Sequence, residues 1–193
     1  QAELRPPAIR GALRWWFRAL GGSREEEASL FGTVQKDSQS SSQIIVRTAF
    51  HRGTGEANWF SPDKIPNQGM DRGAYLLGFF CGRTHRLTDK GALPPGSSAV
   101  VTVLLRKTPS PRLEQTLRIF HSIGAIGFRS TRTAGSLCSR EHSLTTASWE
   151  KLVTELEQAG FAVRLQPSVF PNWVRLVSDA GYFLKHNLRS STE

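Results

Sequence analysis

The chain has 193 residues and is 38% hydrophobic, enough for one substantial core or two small ones. Its 25 Lys and Arg outnumber 16 Asp and Glu for a formal net charge of +9, and self-repulsion of that size points to a polyanionic partner. No apolar run nears the roughly 20 residues of a membrane span. Cys81 and Cys138 have no CxxC neighbour, which fits a reduced, cytoplasmic setting rather than a disulfide framework.

The positive charge is mostly arginine, clustered at residues 5–18 and 129–140. A guanidinium offers a planar fork to phosphate and base edges where an ammonium offers a point charge, so nucleic acid ranks ahead of an anionic membrane surface as partner. The opening QAELRPPAIRG is charged throughout and has no signal-peptide pattern. With Gln1 in first place, the chain is not expected to start at a natural initiator methionine.

Residues 6–20 read as an amphipathic helix entered through Pro6 and Pro7, where proline is tolerated. Ile9, Leu13, Trp16, Phe17 and Leu20 fall on one face. Arg10, Arg14 and Arg18 follow at i, i+4 and i+8 on a neighbouring face. Like charges at that spacing repel, and Glu3 and Glu25–Glu27 are too few nearby to offset three stacked guanidinium groups. The stripe therefore points to contact with phosphate. Gly21-Gly22 ends the helix, and Glu25–Leu30 adds a short helical turn.

Residues 35–43, QKDSQSSSQ, have the composition of a mobile loop. Ile44–Thr48 is β-branched and reads as a strand, and residues 51–71 form a long irregular stretch of the kind that carries function or disorder. Gly73–Phe80 is ambiguous between strand and helix. Ala99–Arg106 is the best strand of the chain. A second helix opens at Pro111, with Leu113, Leu117, Phe120 and Ile123 at helical spacing, and ends at Gly124. A glycine-rich loop over 124–136 leads to a strand near Leu137–Leu144. A third helix, Ser148–Ala159, carries Trp149, Leu152, Val153 and Leu156 on one face, and Phe161–Leu165 is a further strand candidate.

The order helix, strand, strand, helix, glycine-rich loop, strand matches an α+β, ferredoxin-like (RRM-like) unit with its first strand missing. Three motifs sharpen this. AELRPPAIRGALRWWFRAL at the start, EEEASLFG after it, and GAIGFRSTRTAGSL after the second helix resemble, in order and spacing, the RAMP superfamily, and within it the subunit numbered first in type III-B (Cmr) CRISPR effector complexes. The third motif departs from the family's usual Arg-Arg-Gly-Phe-Gly-Ser, reading Thr131-Arg132-Thr133-Ala134-Gly135-Ser136 instead.

The resemblance implies a ferredoxin-like RAMP domain over 1–144, with 145–193 a helical or second-half remnant. It also implies a subunit that holds guide and target RNA beside other RAMP subunits and leaves cleavage to a different, repeated subunit. Gly124, Gly127, Arg129, Ser130 and Arg132 of the loop join Arg10, Arg14 and Arg18 as the candidate RNA contacts. Glycine lets backbone N–H groups close on a phosphate, and the arginines add charge beside them. A plain turn between helix and strand is the competing reading of the loop. Trp16 belongs to the apolar face. Trp15 lies off it, and fits equally a base-stacking residue or one packed on a neighbouring strand.

The five histidines show no ligand spacing with each other or with the cysteines, so neither metal nor cofactor is expected. The alternative function is a RAMP endoribonuclease that processes guide precursors, with His51 in the long loop or His121 near the glycine loop acting on a 2′-hydroxyl. No paired acid and base are recognisable for it.

Overall fold

The computed structural model describes residues 3–35, 38–54, 93–94, 96–127, 135–140, 144–163, 170–171 and 173–183. The first helix, α1 (Pro6–Ala19), has Pro6 and Pro7 in its first turn, where the missing N–H costs nothing. Its Ile9, Leu13 and Phe17 are buried, followed by Leu20 at the C-cap. The short helix α2 (Arg24–Phe31) begins at a capping box, in which the Ser23 hydroxyl accepts from Glu26 N–H at 3.1 Å and the Glu26 carboxylate accepts from Ser23 N–H at 2.9 Å.

The strands follow in two antiparallel pairs. β1 (Thr33–Gln35) pairs with β2 (Ser38–Ser40), and β3 (Ile44–His51) pairs with β4 (Ser98–Leu105) in a register that sets Ile44 opposite Leu105 and His51 opposite Ser98. The Ser-rich segment, expected to be a mobile loop, thus contributes β2. Its serines also satisfy backbone groups: Ser40 Oγ donates to Ala28 C=O at 2.9 Å, and Ser42 Oγ accepts from Ile44 N–H at 3.1 Å. Residues i, i+2 of a strand share a face, so Ile44, Val46, Val103 and Leu105 point to the core and Ile45, Arg47, Leu104 and Val100 point away from it.

Helix α3 (Pro111–Ile123) starts at Ser110, whose hydroxyl accepts from Leu113 N–H, and α4 (Thr146–Gln158) starts at a capping box of Thr145 and Ser148. A last helix, α5, spans Trp173–Phe183. The main core joins α1, α2, β3 and α3 through Ile9, Leu13, Phe17, Phe31, Ile44, Leu113 and Phe120. Phe17 and Phe31 meet edge to face at 5.9 Å. A second cluster seats α4 on α1 and α3 through Leu20, Ile119, Leu152 and Leu156. Trp16 borders both clusters, whereas Trp15 is 49% exposed and stands perpendicular to Trp16 at 5.0 Å.

The strands expected near Leu137–Leu144 and at Phe161–Leu165 do not form over their described residues. Residues 137–140 are irregular, and the nearest pairing among the described residues is an isolated bridge between Ala125 and Ser136. Residues 161–163 are also irregular, with Phe161 and Val163 packed on the second cluster instead. A segment needs a neighbouring strand edge to become a strand, and among the described residues neither segment has one. The third helix begins two residues earlier than its periodicity indicates, because the Thr145 cap and not the first apolar residue sets its start. The described sheet around the core is two-stranded. Gly73–Phe80, and the 51–71 stretch beyond Thr54, lie outside the described residues.

Phe17→Ala should cost about 3–5 kcal/mol in urea denaturation because its ring is wholly enclosed. Trp15→Ala, which loses chiefly the edge contact with Trp16, should cost about 1 kcal/mol. Equal losses would contradict the assignment of the helix faces.

Candidate nucleic-acid interface

The arginine stripe of α1 lies against α2, and the structure gives each member a partner inside the chain. Arg14 Nε donates to one carboxylate oxygen of Glu27, and Arg18 Nε lies 3.6 Å from the other. Glu27 is only 6% exposed. A carboxylate so enclosed is tolerated when it is paired and hydrogen-bonded. Arg10 reaches over α2 and donates to the Phe31 carbonyl, one of the C-terminal acceptors that a helix leaves unfilled. Arg112 does the same for α1, donating to Leu20 C=O. One buried carboxylate is shared by two arginines and the third arginine caps a helix, so each has a partner inside the chain, while a single acid still leaves the stripe net positive. The side chains of Arg14 and Arg18 nevertheless remain 41% and 56% exposed.

The glycine loop is closed at its base. Ile126 N–H donates to Gly135 C=O at 2.9 Å, and Leu137 N–H donates to Gly124 C=O at 3.0 Å. Gly124 N–H donates to Phe120 C=O at 2.8 Å, so the one Gly124 backbone donor is not left for a phosphate. Its glycine is a packing requirement: a Cβ there would lie 2.1 Å from the Phe120 oxygen. Gly135, at φ +73°, would place a Cβ 1.9 Å from the Ile126 oxygen. Gly127 differs. It is exposed, sits at φ +100°, and has open space where a side chain would be. Of the loop candidates, Gly124 and Gly127 are therefore placed, at the stem and at its outer end. Arg129, Ser130 and Arg132 lie outside the described residues.

His51 ends β3 on its exposed face and His121 is half-buried on α3, so the two histidines considered for cleavage belong to separate elements. Cys138 is a free, exposed thiol. Among the described residues no three His, Cys, Asp or Glu side chains come together, and no helix is long and apolar enough to cross a membrane. Glu27 escaped sequence reasoning because its role depends on how α2 turns back on α1. The one local signal was the capping box at Ser23–Glu26, which fixes where α2 begins.

A helix that buries aliphatic and aromatic residues on one side and closes an arginine stripe on the other is followed by an antiparallel strand pair. A second helix then ends in a glycine-rich loop, and this succession makes a mixed α and β domain. The RAMP superfamily matches residues 2–138, and the chain belongs to it. Its sequence is 29% identical over 157 residues to the CRISPR system Cmr subunit Cmr1-1 of Pyrococcus furiosus. That match takes in 70% of this chain and 40% of the relative, so the chain spans well under half of the curated protein it resembles. The fold is similar to the crystal structure of Cmr1 from the same organism in its apo form, with a TM-score of 0.53, 21% identity, and coverage of 97% of this chain and 66% of that one.

Glu27→Gln should destabilise the protein by about 1–3 kcal/mol, less than a fully buried pair would lose because both arginines are half-exposed. Urea denaturation checks this; unchanged stability would mean that the carboxylate is not what holds α2 on α1. Gly135→Ala should also lower the midpoint, since both its backbone angle and the Ile126 carbonyl oppose a side chain.

Proposed function

We propose that this protein is a non-catalytic RNA-binding subunit of a type III-B (Cmr) CRISPR effector ribonucleoprotein, holding guide and target RNA beside other RAMP subunits in antiviral defence. The observation that carries this reading is the sequence likeness to the Pyrococcus Cmr1-1 subunit across 70% of the chain. The net charge of +9 supports it, since phosphates offset what the protein's own acids do not. On this reading the domain is ferredoxin-like, works in the cytoplasm without a cofactor, and touches RNA through the solvent-facing parts of Arg14 and Arg18 and the outer end of the glycine loop. Arg10 is the least available member of the stripe because Phe31 holds it. Gly127 leaves room for close approach of a backbone, and Arg129, Ser130 and Arg132 follow it in sequence.

The test is a salt titration of affinity for a labelled guide-type RNA, together with incubation of the same protein with guide precursor. Phosphate binding makes log K fall linearly with log salt, by about 0.7 per neutralised phosphate of a single strand. A steep slope with intact RNA is expected. Affinity that ignores salt would instead mean a protein-interaction subunit, and precursor cut at a fixed position would mean an endoribonuclease.

A further inference from the structure

Resting on the RNA-binding reading, we infer that the outward face of the β3–β4 pair is a second RNA contact surface, gripping the phosphate backbone through Arg47 and Arg106 without reading base sequence. The register places Arg47 opposite Thr102 on this face. Arg106 continues the same alternation one residue beyond β4, with its N–H donating to Gln43 C=O at 3.0 Å. The two arginines are four residues apart along the ladder, about 13 Å, far enough to take separate phosphates. Both are exposed, and among the described residues neither side chain has an ion-pair or hydrogen-bond partner.

The two strands and their described flanks carry no opposing charge of their own. Residues 38–54 and 96–113, which contain both strands and their flanks, include no Asp or Glu. This contrasts with α1, whose arginines are held by Glu27 and Phe31. Between Arg47 and Arg106 lies the exposed aliphatic pair Ile45 and Leu104, an apolar floor for sugars and base edges. The positions between Arg47 and Arg106 carry no aromatic ring, and the one ring on the described face, His51, stands beyond Arg47 at the end of β3, so backbone contact and not base stacking dominates between the two arginines. A protein neighbour would have to desolvate two unpaired guanidinium groups, whereas phosphate neutralises them.

The experiment measures binding of a labelled oligouridylate by the whole chain across salt, in the parent and four variants. Arg47→Ala with Arg106→Ala should weaken binding about tenfold and flatten the salt slope by about 1.4, two phosphates' worth. Thr102→Glu, which sets an acid opposite Arg47 at an exposed position, should weaken binding similarly, whereas Thr102→Gln should not. Arg24→Ala removes an exposed charge on α2 and should leave the slope unchanged. Thermal melts establish that each variant is folded. If the parent shows salt-dependent binding but the sheet variants match it, the face serves a protein neighbour and the inference falls while the RNA-binding reading stands. If Arg24→Ala flattens the slope by about 0.7, half the change of the double sheet variant, net charge and not this face is responsible, which also overturns it. A parent that does not bind RNA at all overturns both.

Discussion

A carboxylate withdrawn from water must find a cation, and Glu27 draws on two. That requirement fixes how α2 lies on α1, because Glu27 enters between Arg14 and Arg18 only when α2 turns back along the arginine side of the first helix. With α2 so placed, Phe31 meets Phe17 in the core and the Phe31 carbonyl comes within reach of Arg10. The chain leaving α2 then runs through the β1–β2 hairpin into β3, whose Ile44 closes the same core. One polar contact and one aromatic contact thus orient the first 50 residues, on opposite sides of a single helix.

The same contact changes where unbalanced charge resides. Periodicity alone makes the α1 stripe the most repulsive feature of the chain, and repulsion is a sound reason to look for phosphate there. Inside the fold much of that repulsion is relieved, while the acid-free strand pair, ordinary at the level of sequence, retains its positive charge. Arginine serves two ends in this protein: Arg10 and Arg112 complete helix termini, and others remain open to solvent. Net charge locates a polyanion-binding protein far better than it locates the binding surface.

What could be read from the sequence was what local physics decides. Proline at the entry of α1 and α3, glycine at their exits and the spacing of Ile9, Leu13 and Phe17 gave both helices within a residue of their observed ends. β-branched runs gave β3 and β4. The motifs of the first helix and the glycine loop pointed to the RAMP superfamily, to which the chain belongs. The misses were relational. The strand expected near Leu137–Leu144 lacks, over its described residues, an edge to pair with, and the Ser-rich segment folds because α2 supplies acceptors for its hydroxyl groups. At the candidate site, Gly124 looked like a phosphate ligand because glycine serves close approach of any kind; here it makes room for the Phe120 carbonyl. The pairing of Glu27 with the stripe depended on a helix-to-helix contact that no local window contains.

The most direct measurement of an RNA-holding role in a multisubunit effector is native affinity purification of the tagged protein from its own cells, with sequencing of the nucleic acid and identification of the proteins recovered. The expected result is short guide RNA together with other RAMP subunits, lost on washing with high salt only as the assembly itself dissociates. Recovery of the protein free of RNA and of RAMP partners, from cells that express guide RNA, would contradict it.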